Sequence, residues 1–185
     1  DHLEREGAAP AAEASSAENA DAIRILSIHK SKGLEFPIVV VANLGAPFNL
    51  IDLSAPMIAD RRHGLGLMAG AGRRAALLPS LAHEVIKRER RMAQLAEEMR
   101  LLYVAMTRAR DHLILCGSAE GAANRFAKWR EAGPHDGPLP LEERAAARTF
   151  LDWLGPALAR RALLEGEPPG GAAPVLRARI LESAP

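Results

Sequence analysis

Glu97-Glu98-Met99-Arg100-Leu101-Leu102-Tyr103-Val104-Ala105-Met106-Thr107-Arg108-Ala109-Arg110, running through Asp111 into His112-Leu113-Ile114-Leu115-Cys116, is the stretch whose reading decides the fold. Val85, Met92, Met99 and Met106 recur every seven residues, and Leu95, Leu102 and Ala109 fall between them at three- and four-residue steps. That spacing predicts a helix with one apolar face, from about Pro79 to Arg110, where Pro79 suits a first turn. The helix is read as one piece or as two, with a break near Lys87-Arg88-Glu89-Arg90-Arg91. After Asp111 the helical period gives way to a short apolar run typical of a buried strand, residues 112–116. Arg108 therefore falls at an element boundary, where a guanidinium can point outward.

Outward from this stretch, composition sets bounds. The chain has 185 residues, 48% of them hydrophobic, enough for one domain with a real core. Twenty-four basic and 23 acidic side chains leave a net charge of +1, so no global field draws it to nucleic acid and any such contact is local. The one cysteine, Cys116, excludes an internal disulfide and a multi-cysteine zinc site; in an apolar strand it reads as a small hydrophobe, in keeping with a reducing cytosol. No apolar run approaches the ~20 residues of a membrane span and no signal-peptide pattern opens the chain, so a soluble protein is expected.

In chain order, residues 1–20 are rich in Ala, Glu and Ser without sustained apolar period and read as a flexible segment. Ile23-Arg24-Ile25-Leu26-Ser27-Ile28 and Pro37-Ile38-Val39-Val40-Val41-Ala42 read as two central strands, the second continuous and β-branched, as a strand buried on both faces should be. The connection between them is shorter than a usual crossover, so the residues alone allow a hairpin. Residues 43–78 carry much of the Gly and Pro with weak periodicity, a long connection or small insertion. Residues 122–130 predict a helix with Phe126 and Trp129 inward, residues 133–140 a turn, and Phe150, Leu151, Trp153, Leu154 and Leu158 a last amphipathic helix. Residues 161–185 read as linker and tail.

Ser27-Ile28-His29-Lys30-Ser31-Lys32-Gly33-Leu34-Glu35-Phe36 and the run from Glu97 to Ala109 resemble two motifs of the UvrD/Rep family of superfamily-one DNA helicases, T/S-x-H-x-x-K-G-L-E-F and E-E-x-R-L-x-Y-V-A-x-T-R-A. They stand in the family's order, about sixty residues apart. The AddA branch of helicase-nuclease proteins is closer still, with an N-L-G-x-x-F-N-like segment matched here by Asn43 to Asn49. The resemblance covers roughly residues 21 to 118. It implies a RecA-like, P-loop NTPase-type α/β domain of three layers, with a mostly parallel sheet: part of a second motor domain, over residues 21–160. It also favours parallel strands over a hairpin.

The resemblance further implies roles for particular residues. Arg108 matches the arginine that reaches the nucleotide's γ-phosphate, where a permanently protonated, planar guanidinium can stabilise developing charge; on helix position alone, it would cap the helix's last carbonyls. Glu35 matches the glutamate on the nucleotide sugar, and Gly33 serves a turn or a close approach to phosphate. His29, with Ser27 and Ser31, matches the segment that contacts single-stranded DNA, and loops at a parallel sheet's carboxyl ends are where ligands normally meet it. Lys30 and Lys32 add positive charge. Glu98, Arg100 and Tyr103 read as structural: Arg100 serves another segment than Glu98, and Tyr103 is packed.

Gly64 to Gly70 lacks G-x-G-x-x-G spacing, His83-Glu84 lacks a second histidine, and the Lys87 to Arg91 run reads as a solvated helix face. The sequence contains no G-x-x-x-x-G-K-[S/T] loop to grip phosphates and no acidic pair after an apolar strand for magnesium, nor a recognisable nuclease cluster. The expectation is therefore the C-terminal motor portion of an ATP-dependent DNA helicase acting in recombination and double-strand-break repair, cytoplasmic and nucleoid-associated. ATP and Mg2+ are its expected cofactors, held with the first motor domain of the same polypeptide; this chain alone supplies no metal ligand and should be inactive. Single- and double-stranded DNA and a second helicase-nuclease subunit are the expected partners. A non-catalytic RecA-like remnant that docks a protein is the competing class.

Overall fold

Pro37-Ile38-Val39-Val40-Val41 is β-branched almost throughout, and in the computed structural model, which describes residues 22–70, 77–131 and 137–160, it forms strand β1 (Phe36–Val41). β1 pairs in parallel with β5 (Ala109–Leu115), Val39 opposite Leu113 and Val41 opposite Leu115. Facing side chains in a parallel pair share a side, so Val39, Val41 and Leu115 turn toward a core with Leu44, Leu95, Leu102, Ala105 and Trp153. Ile38, Val40 and Ile114 face the other way and are 59%, 56% and 47% exposed. The run reads as a strand buried on both faces; among the described residues only one face is covered.

Helix α1 (Leu81–Met106) is one unbroken element of 26 residues, about 39 Å at 1.5 Å per residue. Its start is fixed by Ser80, whose hydroxyl accepts from the His83 amide at 3.2 Å and also from the Leu67 amide at 3.2 Å. Pro79 lies just outside the helix, in strand β4 (Leu78–Pro79). The helix runs unbroken through the charge run, where Arg88, Glu89 and Arg90 are exposed, as a solvated face should be, and three members also bond to neighbouring segments. His63 Nε2 meets Glu89 at 3.0 Å, the Arg90 guanidinium donates to the Ala59 carbonyl, and Arg91 Nη2 donates to the Ala145 and Ala147 carbonyls at 3.1 and 3.4 Å.

Residues 43–78 are not a plain connection. After the 3₁₀ turn Ile51–Ser54, strands β2 (Met57–Asp60), β3 (Gly64–Ala69) and β4 make an antiparallel sheet on the first half of α1. Ile58 and Ile86 are buried there, and His83, 1% exposed, donates or accepts through Nε2 at the Ala55 carbonyl, 3.0 Å away. Gly66 permits this approach, since a Cβ at that position would lie 2.5 Å from the His83 Cα.

The remaining helices close the other end of the core. These are α2 (Ala122–Glu131), α3 (Leu141–Ala146), which no periodicity announced, and α4 (Leu151–Arg160). Phe48 stacks with Phe150 and Trp153 at ring distances of 5.1 and 5.0 Å, which seats the Asn43 to Asn49 segment between α1 and α4. Phe126 and Trp129 are half-buried, and the Trp129 ring lies against Gly155. Residues 133–136 of the expected turn at 133–140 lie outside the described set, as do all of residues 1–20 and 161–185.

The expected strand at residues 23–28 does not form. Ile23 and Ile25 are 97% and 95% exposed, and the segment joins neither sheet. A strand exists through its partner's hydrogen bonds, and this segment pairs with neither open edge of the two-stranded β1–β5 sheet. Cys116 is corrected in the same way: it lies exposed just beyond β5 rather than inside an apolar strand. Tyr103 is 69% exposed, because the core face of α1 is that of Leu95, Leu102 and Ala105. Arg100 pairs within its own helix, with Glu97 at 3.3 Å, a three-residue step that faces the two side chains together.

Candidate functional site

The parallel pairing of β1 and β5 sets the site. Each strand is preceded by a short segment carrying one sharp candidate: Glu35 just before Phe36, and Arg108 just before Ala109. Because Phe36 registers opposite Ala109, the two arrive at the same edge of the sheet. The contact is close. The Phe36 amide donates to the Arg108 carbonyl at 2.9 Å, and Arg108 Nη1 donates to the Leu34 carbonyl at 2.9 Å. One arginine thus binds the residues on both sides of Glu35, whose own side chain is exposed.

This edge lies at the amino ends of β1 and β5, not at the carboxyl ends where ligands of parallel sheets usually sit. The reason is the missing strand: the carboxyl-end expectation applied to a strand at 23–28, which is absent, while the loop after it leads into the start of β1.

Residues 28–33 form a tight turn. The Ser31 amide donates to the Ser27 and Ile28 carbonyls at 3.1 and 3.2 Å, and the Leu34 amide donates to the Ser31 carbonyl at 3.0 Å. Gly33 has φ +83, a left-handed conformation, and a Cβ there would meet nothing within 4 Å. Its lack of a side chain therefore serves the turn's backbone rather than a close approach within this chain. His29 stands exposed on the turn with Lys30 and Lys32, and exposed Ser27 accepts the Lys30 amide at 3.3 Å. Ser31 differs from its neighbours: it is 8% exposed and its hydroxyl donates to the Ile28 carbonyl at 2.7 Å. Its hydroxyl staples the turn and is not presented to a ligand.

At the helix end, Arg108 Nε donates to the Val104 carbonyl at 3.0 Å and Nη2 to Thr107 Oγ1 at 3.1 Å. The guanidinium therefore does cap the last turn of α1, while also reaching the segment before β1. Two further residues at this edge are not among the sequence candidates. Thr107, the C-cap of α1, stands at the T of the E-E-x-R-L-x-Y-V-A-x-T-R-A motif. Arg110 is raised in pKa by its hydrogen bond and ion pair with Asp111 at 2.9 Å, with a smaller contribution from Glu35, which places its charge near that carboxylate. Asp111 is lowered by the same partner.

Among the described residues no three His, Cys, Asp or Glu side chains gather as a metal cradle, and no helix is long and apolar enough to cross a membrane.

Residues 7–120 match the family model described as the UvrD-like helicase C-terminal domain. Proteins similar to the chain include three ATP-dependent helicase/nuclease subunits of the AddA type. That of Clostridium kluyveri is 42% identical over 144 residues, covering 77% of this chain and 12% of the relative. That of Desulforamulus reducens is 45% identical over 162 residues, covering 86% and 13%. That of Geobacillus kaustophilus is 44% identical over 144 residues, covering 77% and 12%. The chain spans about an eighth of the length of these relatives, at 12–13%. With two motifs meeting at one sheet edge and a family model matching more than half its length, the chain belongs to the UvrD-like helicase C-terminal domain family.

Proposed function

We propose that this chain is the C-terminal motor portion of an ATP-dependent DNA helicase of the helicase-nuclease type, which moves along single-stranded DNA in recombination and double-strand-break repair. In that role it supplies an arginine finger, a ribose contact and a DNA-contacting turn. The observation that carries the reading is the meeting of Arg108 and Glu35 at one edge, joined by the bond that Arg108 donates to the Leu34 carbonyl and the one its own carbonyl accepts from the Phe36 amide.

The donor set at this edge fits one side of a nucleotide. A guanidinium can neutralise phosphate charge, and an exposed carboxylate can accept hydrogen bonds from sugar hydroxyls. ATP, when bound, supplies the phosphoryl group whose transfer drives movement. Arg108 provides a fixed positive charge at the end of a rigid helix, and Glu35 orients the sugar. Gly33 gives the turn its left-handed corner, so His29 and Ser27 stand toward solvent, where an imidazole can stack on a base. Ser31 holds that turn in shape. Mg2+ and the phosphate-gripping loop belong to residues outside this chain, in a first motor domain of the same polypeptide. The chain alone is therefore expected not to hydrolyse ATP.

One observation favours the competing reading of a non-catalytic docking module: all three Arg108 nitrogens donate within their own chain. DNA-stimulated ATP hydrolysis by the full-length polypeptide separates the two. Arg108→Ala should lower turnover on the order of 10³-fold, and Glu35→Gln should raise the ATP concentration needed for half-saturation. Wild-type turnover in both variants leaves the docking module as the better reading.

A further inference from the structure

The three bonds of the Arg108 side chain are not equivalent. Nε donates to the carbonyl of Val104, one turn back on α1, and so ties the guanidinium plane to the helix end. The two terminal nitrogens form the fork with which an arginine takes a phosphate. Here one N–H of each is engaged, that of Nη1 by the Leu34 carbonyl at 2.9 Å and that of Nη2 by Thr107 Oγ1 at 3.1 Å. Thr107 is held for this. Its oxygen lies 3.0 Å from the carbonyls of both Tyr103 and Val104, so its single proton goes to one of them and a lone pair is left for Arg108.

We infer that Thr107 is a positioning residue whose hydroxyl, together with the Leu34 carbonyl, docks the Arg108 fork and competes with a nucleotide phosphate for it. The inference rests on the reading of Arg108 as the phosphate-contacting residue. The dock competes with the nucleotide, so it raises the ATP concentration needed to engage Arg108. It also reaches the DNA side. Leu34 is bonded through its amide to Ser31, and Ser31 through its amide and hydroxyl to Ile28, beside His29. Release of the Leu34 carbonyl removes the side-chain bond between Arg108 and the end of that turn, so nucleotide and DNA act on one shared anchor.

The test uses the full-length polypeptide in steady-state ATP hydrolysis with saturating single-stranded DNA, for Thr107→Val, Thr107→Ala, Thr107→Ser and Arg108→Ala. Loss of the hydroxyl in the Val and Ala variants should lower the half-saturating ATP concentration about 3- to 10-fold, the factor of one hydrogen bond, with kcat near wild type. Thr107→Ser keeps the hydroxyl and should match wild type. An unchanged or raised half-saturation value, or a lowered kcat alone, overturns the dock when Arg108→Ala has lost turnover, and leaves the reading of Arg108 standing. Full turnover in Arg108→Ala removes that reading and the dock with it. Failure of both the Val and Ala variants to fold assigns Thr107 to capping α1 and likewise overturns the proposal.

Discussion

Gly66→Ala should detach the antiparallel sheet from α1 while leaving the β1–β5 edge untouched. The added Cβ would stand 2.5 Å from the His83 Cα and 2.8 Å from its nitrogen, both backbone atoms inside a long helix that cannot turn away. Ordinary contact begins at 3.4 Å, so β3 must retreat by 0.9 Å (3.4 − 2.5) along that direction. The Ser80 amide now donates to the Leu67 carbonyl at 2.9 Å, and the Leu67 amide to Ser80 Oγ at 3.2 Å; a retreat of that size stretches both past hydrogen-bonding range. Overpacking costs about 1–3 kcal/mol, and each stretched bond adds about 1 kcal/mol or less. A loss of roughly 2–4 kcal/mol corresponds to amide exchange faster by on the order of 10²-fold. Hydrogen exchange of the full-length polypeptide, read on peptides covering 57–69 and 36–41, should show that acceleration in the first and none in the second. Unchanged protection at 57–69 would refute the close packing of Gly66 on His83; equal acceleration in both peptides would refute the separateness of the two sheets.

Three further outcomes follow from particular contacts. The Asp60 carboxylate accepts the Arg62 amide at 2.8 Å and the His63 amide at 3.1 Å, bonds that hold its pKa below the ordinary value. A depressed folded pKa gives stability that is present above the unfolded value and lost as pH falls through the folded one, so the Arg62 and His63 amides should lose protection only below the usual carboxylate range; loss beginning near neutral pH would contradict this. His29→Ala should weaken binding of a labelled single-stranded oligonucleotide at low salt, with the difference shrinking as salt is raised; equal binding by both proteins removes His29 from the DNA site. Arg91→Ala strips the donor from the Ala145 and Ala147 carbonyls and should lower stability by about 1–3 kcal/mol in denaturant unfolding, against no change if those bonds are incidental.

The parts of the fold that were legible in the sequence are those whose signal is local. The spacing of Leu95 and Leu102 announced the buried face of α1, although Met92 and Met99, read onto the same face, are each 37% exposed. The apolar run after Asp111 announced β5, which begins earlier, at Ala109, with the helix ending at Met106 rather than Arg110. The β2–β3–β4 sheet was not legible. Gly64 and Gly66 leave a strand with few side chains to alternate, and Arg61-Arg62-His63 is no familiar hairpin turn, so the pairing of Met57 with Leu67 shows only in three dimensions. The Ile23 to Ile28 segment failed for the opposite reason: its pattern asks for a partner strand, and it joins neither sheet. At the site, the two motifs located Arg108, Glu35 and His29, but a motif match does not distinguish a presented hydroxyl from a stapling one. Ser31 is buried with its hydroxyl on Ile28, and Thr107 gains its interest only from the guanidinium lying against it.

Arg108→Lys tests the central claim most directly, read as turnover and melting temperature of the full-length polypeptide beside wild type and Arg108→Ala. Lysine keeps the charge but cannot reproduce the planar fork or the simultaneous bonds to Val104, Leu34 and Thr107. If Arg108 acts on a transferred phosphate, Lys should recover little of a turnover loss on the order of 10³-fold, while melting shifts by no more than the loss of about 1 kcal/mol implies. Wild-type turnover in the lysine variant, with the deficit of Arg108→Ala confined to its melting temperature, would make Arg108 a cap of α1 and contradict the proposed role of this sheet edge.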